Sequence, residues 1–208
     1  MQSLRQISSF QNSKDTSSNV LPVSFYLRED VVQVARDLLG KVLVSVSGNT
    51  LTAGIICETE AYAGAEDRAS HAYSNKRTAR TEVMFREGGI SYVYLCYGIH
   101  CLFNVVSGPM DVPHAVLIRN VVPVEGISAI EKRRKIKRDQ ELTTGPGTLC
   151  QALNITLKQN GVSLQGPQLY IEDRGITVRD KKIKSTPRIG VAYAKEDALL
   201  PYRFLYEF

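Results

Sequence analysis

Apolar residues first fall at helical spacing between Glu29 and Leu39, where Val31, Val34, Ala35 and Leu38 would form one buried stripe. Acidic residues open this segment and Gly40 follows it, as a helix favours. The period then changes to that of strands. Val42–Val46 and Leu51–Glu60 flank Ser47-Gly48-Asn49, which predicts a β-hairpin. A loop of charged and small residues covers Gly64–Glu82. A second hairpin is predicted from Ile90–Cys96, a tight Tyr97-Gly98 tip and Ile99–Ser107. Ala115–Val121 reads as a further strand, Gly126–Lys137 and Pro146–Leu153 as helices. The last third alternates Gly and Pro turns with short strands, among them Arg188–Ala192 and Tyr202–Tyr206.

Strands that adjoin in sequence and are joined by hairpins predict an α+β fold: a mixed, mostly antiparallel sheet with surrounding helices and a protruding hairpin. No internal repeat or linker divides the chain, so residues 21–208 are expected to form a single domain. Residues 1–20 contain six serines and few large apolar residues, which reads as a flexible tail, with order beginning near Val23.

No apolar run approaches the roughly 20 residues that span a bilayer, and the N-terminus has no signal-peptide core. A cytoplasmic protein without a membrane partner is expected, nucleoid-associated in a prokaryote or nuclear in a eukaryote. The four cysteines, Cys57, Cys96, Cys101 and Cys150, lie in apolar surroundings without CxxC spacing and read as buried, reduced thiols. A net charge of +5 favours a polyanionic partner. The densest basic run, EKRRKIKR from Glu131 to Arg138, is either a solvated helix face or a contact to that partner.

Candidate chemistry concentrates between Glu58 and His71, in ETEAYAGAEDRASH. On a strand, Glu58, Glu60 and Tyr62 share one face, and a strand presenting carboxylates and a ring beside a turn suits a cleft better than a core. Glu58 and Glu60 would lie about 7 Å apart by strand rise, a spacing compatible with an acid–base pair in a sugar hydrolase. Tyr92 and Tyr94 share a face of the second hairpin, while Tyr97 stands at its tip, where turns favour Gly, Asn or Asp. Rings so placed suit base stacking and a wedge that fills the gap left by a displaced base.

These residues resemble the alkyladenine DNA glycosylase family, the eukaryotic-type 3-methyladenine DNA glycosylases. The likeness rests on ETEAYxGxxDxASH (Glu58–His71), TxR (Thr78–Arg80), MF (Met84–Phe85) and YVYxxYGxHxxxNVV (Tyr92–Val106). LIR (Leu117–Arg119), GPxxLCQAL (Gly145–Leu153) and RIGV (Arg188–Val191) extend it in order along most of the chain. The resemblance implies a monofunctional, monomeric repair enzyme acting on duplex DNA that contains damaged purines. It also implies no metal and no cofactor.

By the same resemblance, Glu60 is the general base that activates water, and Arg119 helps hold that water and the flipped nucleotide's phosphate. Tyr62, His71 and Tyr94 match an aromatic box around the flipped base, with the His71 backbone N–H reading its edge. Asn104 matches the residue that excludes guanine, and Val191 a small apolar residue lining the same pocket. Tyr97 matches the intercalated side chain, with Ile99 beside it, and Thr78 and Arg80 match contacts to the DNA backbone. The family assigns Glu58 no catalytic role, which makes it structural. Asp67 is expected to tie down the following loop, and His100 and His114 to be structural.

An aromatic box favours cationic methylated purines through cation–π attraction. A carboxylate beneath the sugar both stabilises its developing positive charge and deprotonates water. Three departures from the family pattern stand out: Thr81 where asparagine is usual, Gly88 where proline is usual, and a chain ending at Phe208 without the usual Gly-x-Pro tail. The first two are expected to loosen the loop before Tyr92; the third bears on the C-terminal side of the pocket, with no catalytic position lost. Two rival readings are a non-catalytic nucleic-acid-binding module and a metal-dependent hydrolase using Glu58 and Glu60.

Overall fold

The computed structural model describes residues 19–137 and 141–208. Residues 1–18 of the tail expected over 1–20, and Arg138 at the end of the basic run, lie outside the described residues. Pairing starts earlier than Val23: Val20 bridges Glu172, and Leu21 N–H donates to Ile171 O over 2.9 Å.

Eight strands form one sheet, and every pairing between them is antiparallel. In chain order they are β1 (Val42–Ser47), β2 (Thr50–Tyr62), β3 (Ser91–Cys96), β4 (His100–Ser107), β5 (His114–Glu125), β6 (Leu169–Glu172), β7 (Lys184–Thr186) and β8 (Arg203–Leu205). The order across the sheet is β3-β4-β5-β2-β1-β6, with β8 also paired to β2 and β7 to β8. The helices are α1 (Val23–Tyr26), α2 (Val31–Asp37), α3 (Ile127–Arg134) and α4 (Pro146–Leu153).

β2 organises the molecule because it has more partners than any other strand. One of its edges pairs with β5 along Ala53–Tyr62, while the other pairs with β1 up to Ile55 and with β8 at Glu58–Glu60. Gly54 makes this crossing possible: a Cβ there would come within 2.6 Å of Val121 on β5. α2 is capped by Asp30, whose carboxylate accepts from Gln33 N–H, and packs its Val31, Val34 and Ala35 into the core. The Thr59 hydroxyl donates to Ala35 O over 2.8 Å and pins α2 against β2.

α4 begins with Pro146, where the missing N–H costs nothing, and buries Leu149, Cys150, Ala152 and Leu153. α3 is fastened to it by arginines of the basic run. Arg133 donates to Ala152 O over 2.9 Å, and Arg134 to Leu142 O over 2.9 Å and to Gln151. Those two charges are thus committed within the fold. The cysteines are all free, but only Cys150 is buried; Cys57, Cys96 and Cys101 are half-buried, contrary to expectation. Among the described residues, no helix is long and apolar enough to cross a membrane.

Two expectations fail for clear reasons. Arg188–Ala192 is a loop leading into a 3-10 helix over Ala192–Leu199, because Arg188 is drawn away by Asp67 and the Ile189 N–H is spent on Glu60. Nor do Thr81 and Gly88 loosen their loop. Thr81 is buried and its hydroxyl donates to Lys76 O over 2.8 Å while accepting from Thr78 N–H over 2.8 Å. Gly88 sits where a Cβ would lie 2.5 Å from Tyr26 O, so the chain packs closely there.

Candidate active site

The carboxylates of β2 are set by a local irregularity in its pairing with β5. The register runs Ile56↔Val121, Glu58↔Asn120, Thr59↔Ile118, leaving Cys57 and Arg119 unpaired. Such bulges re-aim side chains. Arg119 reaches back to both carboxylates, Nε to Glu58 Oε1 at 2.7 Å and Nη1 to Glu60 Oε1 at 3.4 Å. Glu58 also accepts from Arg203 Nε of β8 at 2.6 Å. It is therefore a bracket between two arginines.

Glu60 is 0 % exposed. Its Oε1 accepts from Ile189 N–H at 2.8 Å and faces Arg119, while Oε2 accepts from the Tyr62 hydroxyl at 2.8 Å. Burial, reinforced by the Glu60 charge, pushes the Tyr62 phenol well above its ordinary value, so it remains a donor. The other side of Tyr62 carries the Arg188 guanidinium, 4.8 Å from the ring centroid. Arg188 is itself held by a buried bidentate pair with Asp67, which also accepts from Ala63 and Ala69 N–H. Asp67 thus ties the post-β2 loop to residue 188, as expected. Val191 packs beside it against Ala69 and Ala194, with Tyr62 alongside.

A second group gathers around His71. Its ring meets Tyr94 edge-on at 4.7 Å, and its Nδ1 lies 2.9 Å from the Tyr92 hydroxyl. Arg80 Nη2 lies 3.2 Å from His71 Nε2, and the same guanidinium sits 4.6 Å from the Tyr94 ring centroid. A guanidinium only donates, so Nε2 accepts and Nδ1 carries the proton, donating to Tyr92. Burial, and then the Arg80 charge, lower the His71 pKa to about 4. The imidazole is neutral at neutral pH. Asn104, on β4 opposite Tyr92, is buried and donates to Tyr92 O over 3.0 Å.

Glu60, Tyr62, Arg119 and Val191 thus cluster on one side, and His71, Tyr94 and Asn104 around Tyr92 on the other. Arg80, which the resemblance places on the DNA backbone, lies here against His71 and the Tyr94 ring. Thr78 stays in its loop, bonded to Thr81. Tyr97 and Ile99 stand apart at the β3–β4 tip, 92 % and 73 % exposed. Tyr97 has φ +51°, a left-handed conformation uncommon outside Gly and Asn. His114 is half-buried and packs near Gly64, a structural place; His100 is exposed beside Gly147.

Several groups that meet the candidate site escape a sequence reading. Ile189 acts through a backbone N–H, and Arg203 lies 145 residues from the carboxylate it holds. Tyr193 borders a cleft of about 530 Å³ with Arg68, Ser70, His71, Tyr73 and Lys76. The RIGV match drew attention to residue 188 without revealing its pair with Asp67. Among the described residues, no group of three His, Cys, Asp or Glu could hold a metal ion.

The class is that of the DNA glycosylases: residues 24–207 match the family described as methylpurine-DNA glycosylase. The chain belongs to that family. It is similar to "Putative 3-methyladenine DNA glycosylase" of Chlamydia abortus, 49 % identical over 188 residues, covering 89 % of this chain and 97 % of the relative. Proteins of the same name in Chlamydia felis and Bacillus cereus (strain AH187) are 48 % and 46 % identical, with 89 % of this chain and 95 % of each relative covered. The chain is therefore a DNA glycosylase of alkylation-damage repair, and DNA is its substrate.

Proposed function

We propose that this enzyme flips alkylated and deaminated purines out of duplex DNA and hydrolyses the N-glycosidic bond with water activated by Glu60. The observation that carries the reading is the fully buried Glu60 carboxylate, fixed by Tyr62 and Ile189 and facing Arg119 beside the aromatic groups. As the base leaves, positive charge grows on the deoxyribose, and a carboxylate held in place stabilises it without reorganising. Glu60 then accepts a proton from the attacking water, while Arg119 orients that water and the nucleotide's phosphate. Tyr62, His71 and Tyr94 enclose the flipped base, and Asn104 and Val191 shape its edge.

His71 makes no backbone N–H hydrogen bond among the described residues, which leaves that donor for the base. The neutral ring suits stacking beside a cationic lesion better than an imidazolium would. Tyr97, with Ile99, fills the gap in the duplex, and Thr78 and Arg80 contact the backbone once DNA displaces Arg80 from the rings. No lysine takes part, so hydrolysis is direct and leaves an intact abasic strand. The reading extends to a monomer that acts in the compartment holding the cell's DNA.

The hydrolase alternative needs Glu58 free, whereas its Oε1 already accepts from two arginines. A base-release assay on duplexes each carrying 3-methyladenine, 7-methylguanine, hypoxanthine or ethenoadenine, with chelator present, tests the proposal. Release in chelator is expected. Binding without release would favour the non-catalytic module, and release abolished by chelator the metal hydrolase.

A further inference from the structure

The cation preference expected of an aromatic box depends on rings whose faces are open to a positively charged base. One of the proposed walls is permanently engaged, and a second is engaged until DNA draws its arginine away. Arg188 lies 4.8 Å from the Tyr62 centroid and Arg80 4.6 Å from that of Tyr94. A fixed guanidinium on one face draws on the ring's quadrupole and repels a second cation across it, so Tyr62 offers a methylated purine less than an isolated tyrosine would, and Tyr94 does so while Arg80 stays on it. Arg188 cannot leave, being buried and paired with Asp67.

Tyr193 differs. It lines the cleft that also contains His71, is 65 % exposed, and no arginine or lysine lies over its ring among the described residues. Its hydroxyl donates to Ala69 O over 3.0 Å, two residues before His71, so the exposed ring is held in place across the cleft. Val191, two residues before it, packs against the same Ala69 with Tyr62 alongside. The ring is thus tied at its tip to the loop that carries His71 and at its base to the segment that carries Val191.

The structure assigns Tyr193 as a further wall of the base site, a ring whose open face helps discriminate positively charged purines from neutral ones. This rests on the repair reading given above. The test compares single-turnover kcat/KM on duplexes carrying 7-methylguanine, which is cationic, or hypoxanthine, which is neutral, each opposite cytosine. Tyr193→Ala should lower the 7-methylguanine value relative to hypoxanthine by about three- to tenfold, the scale of one partly exposed cation–π contact. Tyr193→Phe keeps the face and should keep the wild-type ratio. An unchanged ratio in Tyr193→Ala overturns the assignment, whether both substrates fall together or neither falls. If the wild-type chain releases neither base, the repair reading itself fails and takes this inference with it.

Discussion

The carboxylate site on β2 and the tip of the β3–β4 hairpin are built on opposite terms. At Glu60 both oxygens are occupied, by a tyrosine, a backbone N–H and an arginine, and no part of the residue meets solvent. At Tyr97 a large ring stands 92 % exposed on a backbone with φ +51°. The first region uses much of the fold to hold one group still; the second sets an almost fully exposed group on a left-handed backbone. Chemistry at a bond needs positions fixed before substrate arrives, whereas a probe of the duplex finds its partners only in the DNA.

The largest effect that could break this contrast is at Glu60. Glu60→Gln keeps the shape and is expected to lose roughly 10² to 10⁴ in single-turnover rate while still binding lesion DNA. Near-normal turnover would move the base elsewhere. Glu58→Gln is the next test, because it removes the charge that Arg119 and Arg203 share. A fall of roughly 10- to 10²-fold in rate is expected from a misplaced Arg119, with little change in binding to undamaged duplex. An unaltered rate would show that Arg119 needs no such bracket.

At the tip, Tyr97→Ser should slow excision by roughly tenfold for well-paired lesions such as hypoxanthine opposite thymine, since extruding a paired base costs a few kcal/mol. Mismatched or single-stranded lesions should suffer less. Equal losses in all three contexts would remove the wedge from the comparison.

The smallest effect is on stability and reports on His71. Its pKa is about 4 in the fold against an ordinary 6.5, so the unfolded chain binds the proton first as pH falls. The His71 contribution to stability is fully present above about pH 6.5, declines between there and pH 4, and levels off below. Urea midpoints for the wild type and His71→Gln should converge as pH drops through that window. Parallel curves would mean the ring is not held neutral.

Much of the framework was legible because its signals are local. Both hairpins follow from alternating strands around short turns, and α4 from Pro146 and its apolar spacing. The β2 carboxylates could be placed on one face by counting in twos. What escaped depends on distant partners. RIGVA alternates like a strand, yet Arg188 answers to Asp67 and Ile189 to Glu60, both more than 120 residues away. The bulge that frees Arg119 leaves no mark of its own in LIRN. The exposed Arg80 lies against the Tyr94 ring and His71, contacts that nothing in TAR announces.

The left-handed backbone at Tyr97 has one more consequence. Glycine or asparagine relieves that conformation, and little packing is lost because the residue is almost fully exposed. A library screened for heat resistance alone should therefore drift toward Gly or Asn at this position, giving tougher molecules that, if Tyr97 is the proposed wedge, excise paired lesions poorly. The residue found at the tip would record which of the two pressures, endurance or repair, had the upper hand.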